Sequence, residues 1–136
     1  MTVPSHRRFT EKRDIIGEPV LVSYLSTEGR GLSLEALYSR AVARTEIHEL
    51  ITTGEAVGPG DSVRDVSYVG FFEVTQGGSL RVGDVLRCNG TPVGTLAGFD
   101  LSHFPNHLNI VIRCPRRVTG KDIGLRHDHE IRFTPD

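Results

Sequence analysis

The sequence predicts a mainly β fold of the α+β class, a small antiparallel β-barrel with one amphipathic helix. Short apolar runs recur along the chain and are separated by the Gly, Asn and Asp residues typical of tight turns. Only the stretch from Ser33 to about Leu50 carries apolar residues at helical spacing instead. No repeat of fixed period and no long linker interrupts this pattern, so residues 1–136 are expected to form a single domain.

The N-terminal part of the chain is expected to hold an arm, a strand and the helix. Residues 1–14 have few apolar positions and predict a loose arm or a peripheral strand. Pro19 to Leu25, a β-branched run between glycine-containing segments, predicts the first strand. The helix would begin at Ser33, whose hydroxyl can accept hydrogen bonds from the free N–H groups of a first turn. Its apolar stripe would be Leu34, Leu37, Tyr38, Ala41 and Val42, and its solvated face Arg40, Arg44, Glu46 and Glu49.

The rest of the chain is predicted to be a series of strands. The run from Val66 to Val74 is apolar on both faces, and Gly70 in its middle indicates a bulge or the close approach of another backbone. Asn89-Gly90 suits a type I′ turn, which needs positive φ at both central residues. The later strands are predicted at Val85–Cys88, Thr91–Ala97, Leu108–Arg113 and Leu125–Phe133.

Composition and charge argue against several classes of protein. Hydrophobic residues make up 38% and charged residues 24%, as in folded globular domains. The net charge of −1 argues against a general nucleic-acid binder. No apolar run approaches the roughly 18 residues that span a bilayer, and the N-terminus lacks the apolar core of a secretory signal. We therefore expect a cytoplasmic protein that does not act on membranes, with Cys88 and Cys114 as reduced thiols packed like small apolar side chains.

The central third of the chain is similar to a known family. Gly83-Asp84-Val85-Leu86, Asn89-Gly90, Gly98, and Asn106-His107 before Leu108 to Ile112 occur in an order and spacing similar to the glucitol/sorbitol-specific IIA components of bacterial phosphotransferase systems. Those proteins are small cytoplasmic β-barrels that relay a phosphoryl group on a histidine. The resemblance implies a bacterial barrel with Gly83, Asp84 and Gly90 as turn residues. It does not extend to a phosphocarrier, because a rough alignment puts that histidine near the strand Val66 to Phe72, which contains none.

The first of two histidine groups follows the predicted hairpin. Asp100, His103 and His107 lie in a polar segment, and irregular backbone there would let all three side chains point inward together. Pro105 and the absence of a Glu directly after His103 argue against the helical motif of zinc proteases.

The second group is His127 with His129. On the predicted last strand these residues share the parity of Ile131 and Phe133, so both imidazoles would face the core. A buried imidazole has to be hydrogen-bonded, ligated or near an opening, because leaving it unsatisfied is costly.

Two interpretations of the histidines stay open. In the first, His103 or His107 joins His127 and His129 in a three-nitrogen set, and Asp100 completes a metal shell or orients an imidazole. A divalent metal would then be the cofactor, although nothing in the spacing requires one. In the second, the histidines only bond backbone carbonyls at the mouth of the barrel.

The leading functional hypothesis is a cytoplasmic barrel of bacterial metabolism that binds a polar, anionic metabolite or sugar. Its candidate ligand-binding residues are Asn106, Arg113 and Arg126, since guanidinium groups bind carboxylates and phosphates well. The alternative is an enzyme in which the four histidines above, with Asp100 or Asp128, perform acid–base or metal-assisted chemistry. Binding of a protein partner, including a second copy of the chain, also stays open. The absence of a complete catalytic set from the local motifs favours the binder.

Overall fold

The computed structural model describes residues 11–136, which form twelve β-strands and no helix. The prediction of a mainly β fold is therefore confirmed. The strands are β1 (Ile15–Val22), β2 (Ser26–Thr27), β3 (Leu32–Ser33), β4 (Ser39–Val42), β5 (Ile47–Thr53), β6 (Ser62–Val63), β7 (Val66–Gln76), β8 (Gly78–Arg81), β9 (Val85–Cys88), β10 (Thr91–Asp100), β11 (Asn109–Arg113) and β12 (Ile131–Thr134). The described residues hold no helix that is long and apolar enough to cross a membrane.

Most of the strands belong to one sheet that closes on itself. Its order is β1-β12-β9-β10-β11-β5-β7-β2, and β1 also pairs with β7, so seven strands form a ring. Two short ladders, β3 with β6 and β4 with β8, stand beside the ring. Neighbouring strands run antiparallel except for β11 and β5, which are parallel. The expectation of a wholly antiparallel sheet is wrong at this one pairing.

The helix predicted from Ser33 to Leu50 is wrong. This stretch forms the end of β3, all of β4 and the start of β5. Tyr38, from the predicted apolar stripe, is 70% exposed. Ser33 is not an N-cap, and its backbone N–H donates to the Asp100 carboxylate at 3.1 Å. Backbone pairing with β7 and β8, which lie later in the sequence, overrides the local periodicity here.

The other predicted strands are confirmed, with shifts of one to three residues at an end of β7, β10 and β11 and larger changes in the first and last strands. The first strand begins and ends earlier than predicted, at Ile15–Val22, and residues 1–10 of the predicted arm lie outside the described residues. The last strand is confined to Ile131–Thr134. The Asn89-Gly90 hairpin is confirmed, with φ of 51° and 85° at the two turn residues.

Apolar side chains pack on both faces of the sheet. The inner cluster receives side chains from every strand of the ring, among them Leu50, Phe72, Ile110 and Phe133. A second cluster lies on the outer face under β3 and β6, and includes Leu32, Leu34, Ile51, Val63 and Val111. Because alternate residues of a strand face opposite sides, β7 and β11 are buried on both faces, as predicted for β7.

Gly70 allows β1 to close the ring. Its φ is +141°, and a Cβ at this position would overlap the carbonyl oxygen of Leu21 in β1. The register between β5 and β7 also shifts beside it, between Leu50 and Ile51. Both parts of the prediction for Gly70, a bulge and the close approach of a backbone, are confirmed.

Candidate functional site

A polar row crosses four strands at one end of the ring. Asp100 pairs with Asn109, Asn109 with Glu49, and Glu49 with Phe71. Residues directly opposite one another share a face of a sheet, so these four side chains stand side by side. Asn109 is two residues before Val111, which places the row on the outer face, next to the outer apolar cluster. The segment 101–108 between β10 and β11, here called the histidine loop, folds over this row.

Asp100 holds the start of the histidine loop in place. Its carboxylate accepts hydrogen bonds from the backbone N–H of Ser102 at 3.0 Å and from the Ser102 hydroxyl. It also accepts from the Ser33 N–H and from the Asn109 amide, each at 3.1 Å. Burial acts to raise the pKa of Asp100, but these hydrogen bonds outweigh it and lower the pKa. Asp100 therefore stays ionised. Its hydrogen bonds fix the position of the histidine loop and do not orient an imidazole.

His107 is the buried histidine of the loop. Its ring meets the Phe71 ring edge-on with centroids 5.0 Å apart, and the His103 ring stacks on its other side at 5.1 Å. The Asn106 amide nitrogen lies 2.9 Å from Nδ1, so Nδ1 accepts and Nε2 carries the proton of the neutral ring. Nε2 lies 3.7 Å from the Glu49 carboxylate.

Two buried polar atoms beside Glu49 have no hydrogen-bond partner within residues 11–136. They are Nε2 of His107 and Oδ1 of Asn109. Buried polar atoms are nearly always hydrogen-bonded, so such a pair commonly marks a place for water, a ligand or chemistry. Both belong to the row that the histidine loop covers.

The pKa values of Glu49 and His107 are displaced toward each other. Burial raises the pKa of Glu49, while the positive charges of Arg30 and His103 act in the opposite sense. Burial lowers the pKa of His107, and His103 lowers it further, whereas the Asn109 side chain acts to raise it. Burial thus makes Glu49 a stronger base than an exposed carboxylate and favours the neutral form of His107, whose Nε2 lies beside it.

The other side of the histidine loop borders an open cleft of about 260 Å³. Its lining includes Arg40, Glu46, His48, Phe104 and Asn106. The Arg40 guanidinium lies 5.0 Å from the centre of the Phe104 ring and forms no ion pair with a carboxylate of the described residues. Its positive charge contributes to lowering the pKa of the nearby Glu46, but the guanidinium is not paired with that carboxylate.

His48 and Glu46 form the fixed wall of this cleft. His48 Nδ1 accepts from the Leu108 N–H at 3.0 Å, so Nε2 is free to donate to the Glu46 carboxylate, also at 3.0 Å. Burial acts to raise the pKa of Glu46, but hydrogen bonds from the Ala43 N–H and His48 lower it. Glu46 is therefore an ionised acceptor whose Oε1 receives both of these hydrogen bonds, while Oε2 receives none from the described residues.

The sequence patterns did not indicate Arg40, Glu46, His48 or Glu49 as candidate site residues. Three of them were assigned to the solvated face of a helix that does not exist. The alternation of Ile47-His48-Glu49-Leu50 is typical of a strand and was the available signal.

The second histidine group does not lie on a strand, so the prediction that His127 and His129 face the core is wrong. Both are in a turn in which the His129 N–H donates to the Arg126 carbonyl at 3.1 Å. His127 is exposed, and its Nδ1 lies 3.5 Å from the Pro19 carbonyl oxygen. His129 is half-buried beside the Asn89-Gly90 hairpin.

The histidine loop and His129 lie at opposite ends of β10. The histidine loop follows Asp100 at one end, and His129 lies beside Thr91 at the other. Ten residues of strand at 3.3 Å each separate these ends by roughly 30 Å. The structure therefore brings Asp100, His103 and His107 together and leaves His127 and His129 apart from them. Within residues 11–136, no group of three or more His, Cys, Asp or Glu residues is arranged to hold a metal ion.

The predicted ligand-binding residues are likewise divided. Asn106 lines the cleft, whereas Arg113 is at the far end of β11 and Arg126 is in the turn before His129. The cysteines are buried free thiols, as predicted. Burial raises the pKa of Cys88 to about 12 and also raises the pKa of Cys114, which keeps both protonated.

Comparison with known proteins gives a family for the chain but no function. The model of a family of unknown function (DUF6917) matches residues 9–134, which is nearly the whole chain. No curated protein and no solved structure matches the chain.

Proposed function

The chain belongs to this family of unknown function, and we propose that it is a small β-barrel that binds a polar, anionic metabolite or sugar beside the histidine loop. The observation that carries the proposal is the polar cleft in which the Arg40 guanidinium has no carboxylate partner among the described residues. A volume of about 260 Å³ is near the lower end of small-molecule sites, which suits a compact metabolite.

Each wall of the cleft has a distinct part in this proposal. Arg40, held over Phe104 by a cation–π contact, binds the carboxylate or phosphate of the ligand with paired N–H donors. Asn106 donates to His107, which leaves its amide oxygen to accept from a ligand hydroxyl. The ionised Glu46 accepts from a second hydroxyl and disfavours a ligand with more than one anionic group.

Calorimetric titration with inorganic phosphate, a hexose monophosphate and a hexonate tests the proposal. We expect at least one of the two sugar acids to bind, and Arg40→Gln to weaken that binding at least tenfold, since a charge-assisted hydrogen bond is lost. Arg116→Gln, which removes an exposed arginine outside the cleft, is the matched control and should change the affinity less than twofold. Binding of neither sugar acid, or equal loss in both variants, would overturn the proposal.

The Glu49–His107 pair, which is not part of the lining of the Arg40 cleft, favours a second candidate function, acid–base catalysis on a molecule bound beside this pair. The two side chains are 3.7 Å apart, and burial favours the neutral form of each. A carboxylate whose pKa is raised is a stronger base and can accept a proton from carbon, while Nε2–H of the neutral imidazole donates a hydrogen bond to the oxygen that gains negative charge.

Exchange of carbon-bound hydrogen for deuterium tests this second candidate. The molecule that binds is incubated with the protein in D₂O, and its spectrum is followed by NMR. We expect exchange with the wild type and none with Glu49→Gln or His107→Gln. His127→Gln, which removes an exposed imidazole that does not contact Glu49 or His107, should leave the exchange rate unchanged. Binding without exchange would leave the protein a binder and remove the catalytic candidate.

A further inference from the structure

A second cavity, of about 410 Å³, lies at the end of the ring away from the histidine loop. It sits beside the Asn89-Gly90 hairpin, and most of its lining is apolar, with Cys88, Pro92, Val93, Val118 and Ile123. Its volume is within the range of small-molecule sites. None of these residues takes part in the function proposed above.

The wall that faces the hairpin is fixed by hydrogen bonds. The Thr52 hydroxyl accepts from the Val118 N–H at 2.8 Å and donates to the Val118 carbonyl at 2.6 Å, which ties this segment to β5. Thr119 and Asp122 then close the following turn, because each side chain accepts from the backbone N–H of the other. Ile123 is the next residue and enters the lining of the cavity. The cavity is therefore preformed, which reduces the entropy lost on binding.

His129 supplies a defined hydrogen-bond donor at the rim. Its Nδ1 accepts from the Arg126 N–H at 3.2 Å, so the neutral ring carries its proton on Nε2. The Cys88 thiol stays protonated because burial raises its pKa to about 12, and it behaves as an apolar wall. No charged side chain belongs to the lining, and the nearby Arg126 and Asp128 are exposed and lie 3.6 Å from each other.

We propose that this cavity is a second binding site, for a small neutral molecule with an apolar body and one acceptor oxygen that bonds to Nε2–H of His129. The apolar body displaces water from the Val93, Val118 and Ile123 side chains. A neutral ligand is favoured because an anion or a cation would lose hydration here without gaining a partner of opposite charge. The site is independent of the cleft beside Arg40.

Acetophenone and ethylbenzene are matched probes for this site, because they differ only in the acceptor oxygen. Each is titrated into ¹⁵N-labelled protein, and amide shifts are followed by NMR. We expect both to perturb amides around Cys88, Val93 and Ile123. Acetophenone should bind about fivefold more tightly, as expected for one additional hydrogen bond.

Three variants test whether the preference for acetophenone over ethylbenzene depends on the imidazole of His129. His129→Phe keeps a ring but removes the N–H, so acetophenone should no longer bind more tightly than ethylbenzene. The control His127→Phe, two residues away and outside the cavity, should keep the fivefold ratio. Thr91→Trp, at an exposed position on the rim, should block both probes without unfolding the protein. The proposal is overturned by an absence of perturbations at the cavity, or by a preference for acetophenone that survives in His129→Phe.

Discussion

Glu49 differs from Asp100, the other carboxyl group of the row, because its carboxylate receives no hydrogen bond from the described residues. Asp100, one strand further along, receives four hydrogen bonds and is ionised. Glu49 is only 3.7 Å from an imidazole that burial keeps neutral. The same row thus contains one carboxyl group fixed for structure and one available for chemistry.

Replacement of Glu49 by Gln should stabilise the protein at pH 7. The native pKa of Glu49 is raised, so the native state holds the proton more tightly, and stability is lost as the pH rises from the unfolded pKa of about 4.3 through the native value. Gln does not ionise, so the variant does not lose stability as the pH rises through this range. We expect Glu49→Gln to gain about 1 kcal/mol in free energy of unfolding at pH 7 and little at pH 4, measured by urea denaturation.

Glu28→Gln is the control for this prediction, because the Glu28 side chain is 81% exposed. Its free energy of unfolding should follow that of the wild type at both pH values. A Glu49→Gln protein that is less stable than the wild type at pH 7 would contradict the prediction.

Lys12 and Asp84 form a buried ion pair, with Nζ 2.9 Å from Oδ2 and both side chains almost fully buried. Removing one partner leaves the other charge buried, so Lys12→Met should lower the free energy of unfolding by about 3–5 kcal/mol in urea denaturation. The double variant Lys12→Met/Asp84→Asn should recover most of the loss, since Asn can still accept from the Arg81 N–H. Lys121→Met, at an exposed lysine, should change stability by less than about 0.5 kcal/mol. A small effect of Lys12→Met would show that the pair is not buried in solution.

At the scale of the element, the closing contact between β1 and β7 depends on Gly70. An added methyl would overlap the Leu21 carbonyl, and the positive φ is unfavourable for alanine. We expect Gly70→Ala to lower the free energy of unfolding by at least about 3 kcal/mol and to speed hydrogen exchange in β1. Gly58→Ala, where the added Cβ would meet no atom within 4 Å, should be nearly neutral. Equal stability of the two variants would contradict this account of ring closure.

The elements that could be predicted from the sequence are those determined by neighbouring residues. The hairpin at Asn89-Gly90 depends on two residues that accept positive φ, and β7 on a continuous apolar run. The stretch from Ser33 to Leu50 was mispredicted because its spacing also fits a helix, whereas its partners are strands far along the chain. His127 and His129 were assigned to a strand by parity alone, although the chain turns before Ile131.

At the scale of the whole molecule, the candidate site depends on one strand pairing that no local sequence pattern predicts. Glu49 reaches Asn109 only because β5 lies parallel to β11, and the two residues are far apart in sequence. The residues Asp100, His103 and His107 could be predicted as a group because one loop contains them. Their partner Glu49 could not, because long-range strand pairing is set by the whole arrangement of the sheet.

The distance along β10 predicts that the two histidine groups act independently. In a double-mutant cycle of His107→Gln and His129→Gln, the changes in free energy of unfolding should add within about 0.5 kcal/mol, since the sites share no partner. His107→Gln combined with Glu49→Gln is the positive control and should show coupling, because these side chains are neighbours. Coupling above about 1 kcal/mol between His107 and His129 would instead favour the three-nitrogen site considered from the sequence. Additivity would mean that the two side chains are not coupled energetically, and we would then expect a ligand at one end of the ring to leave the affinity at the other unchanged.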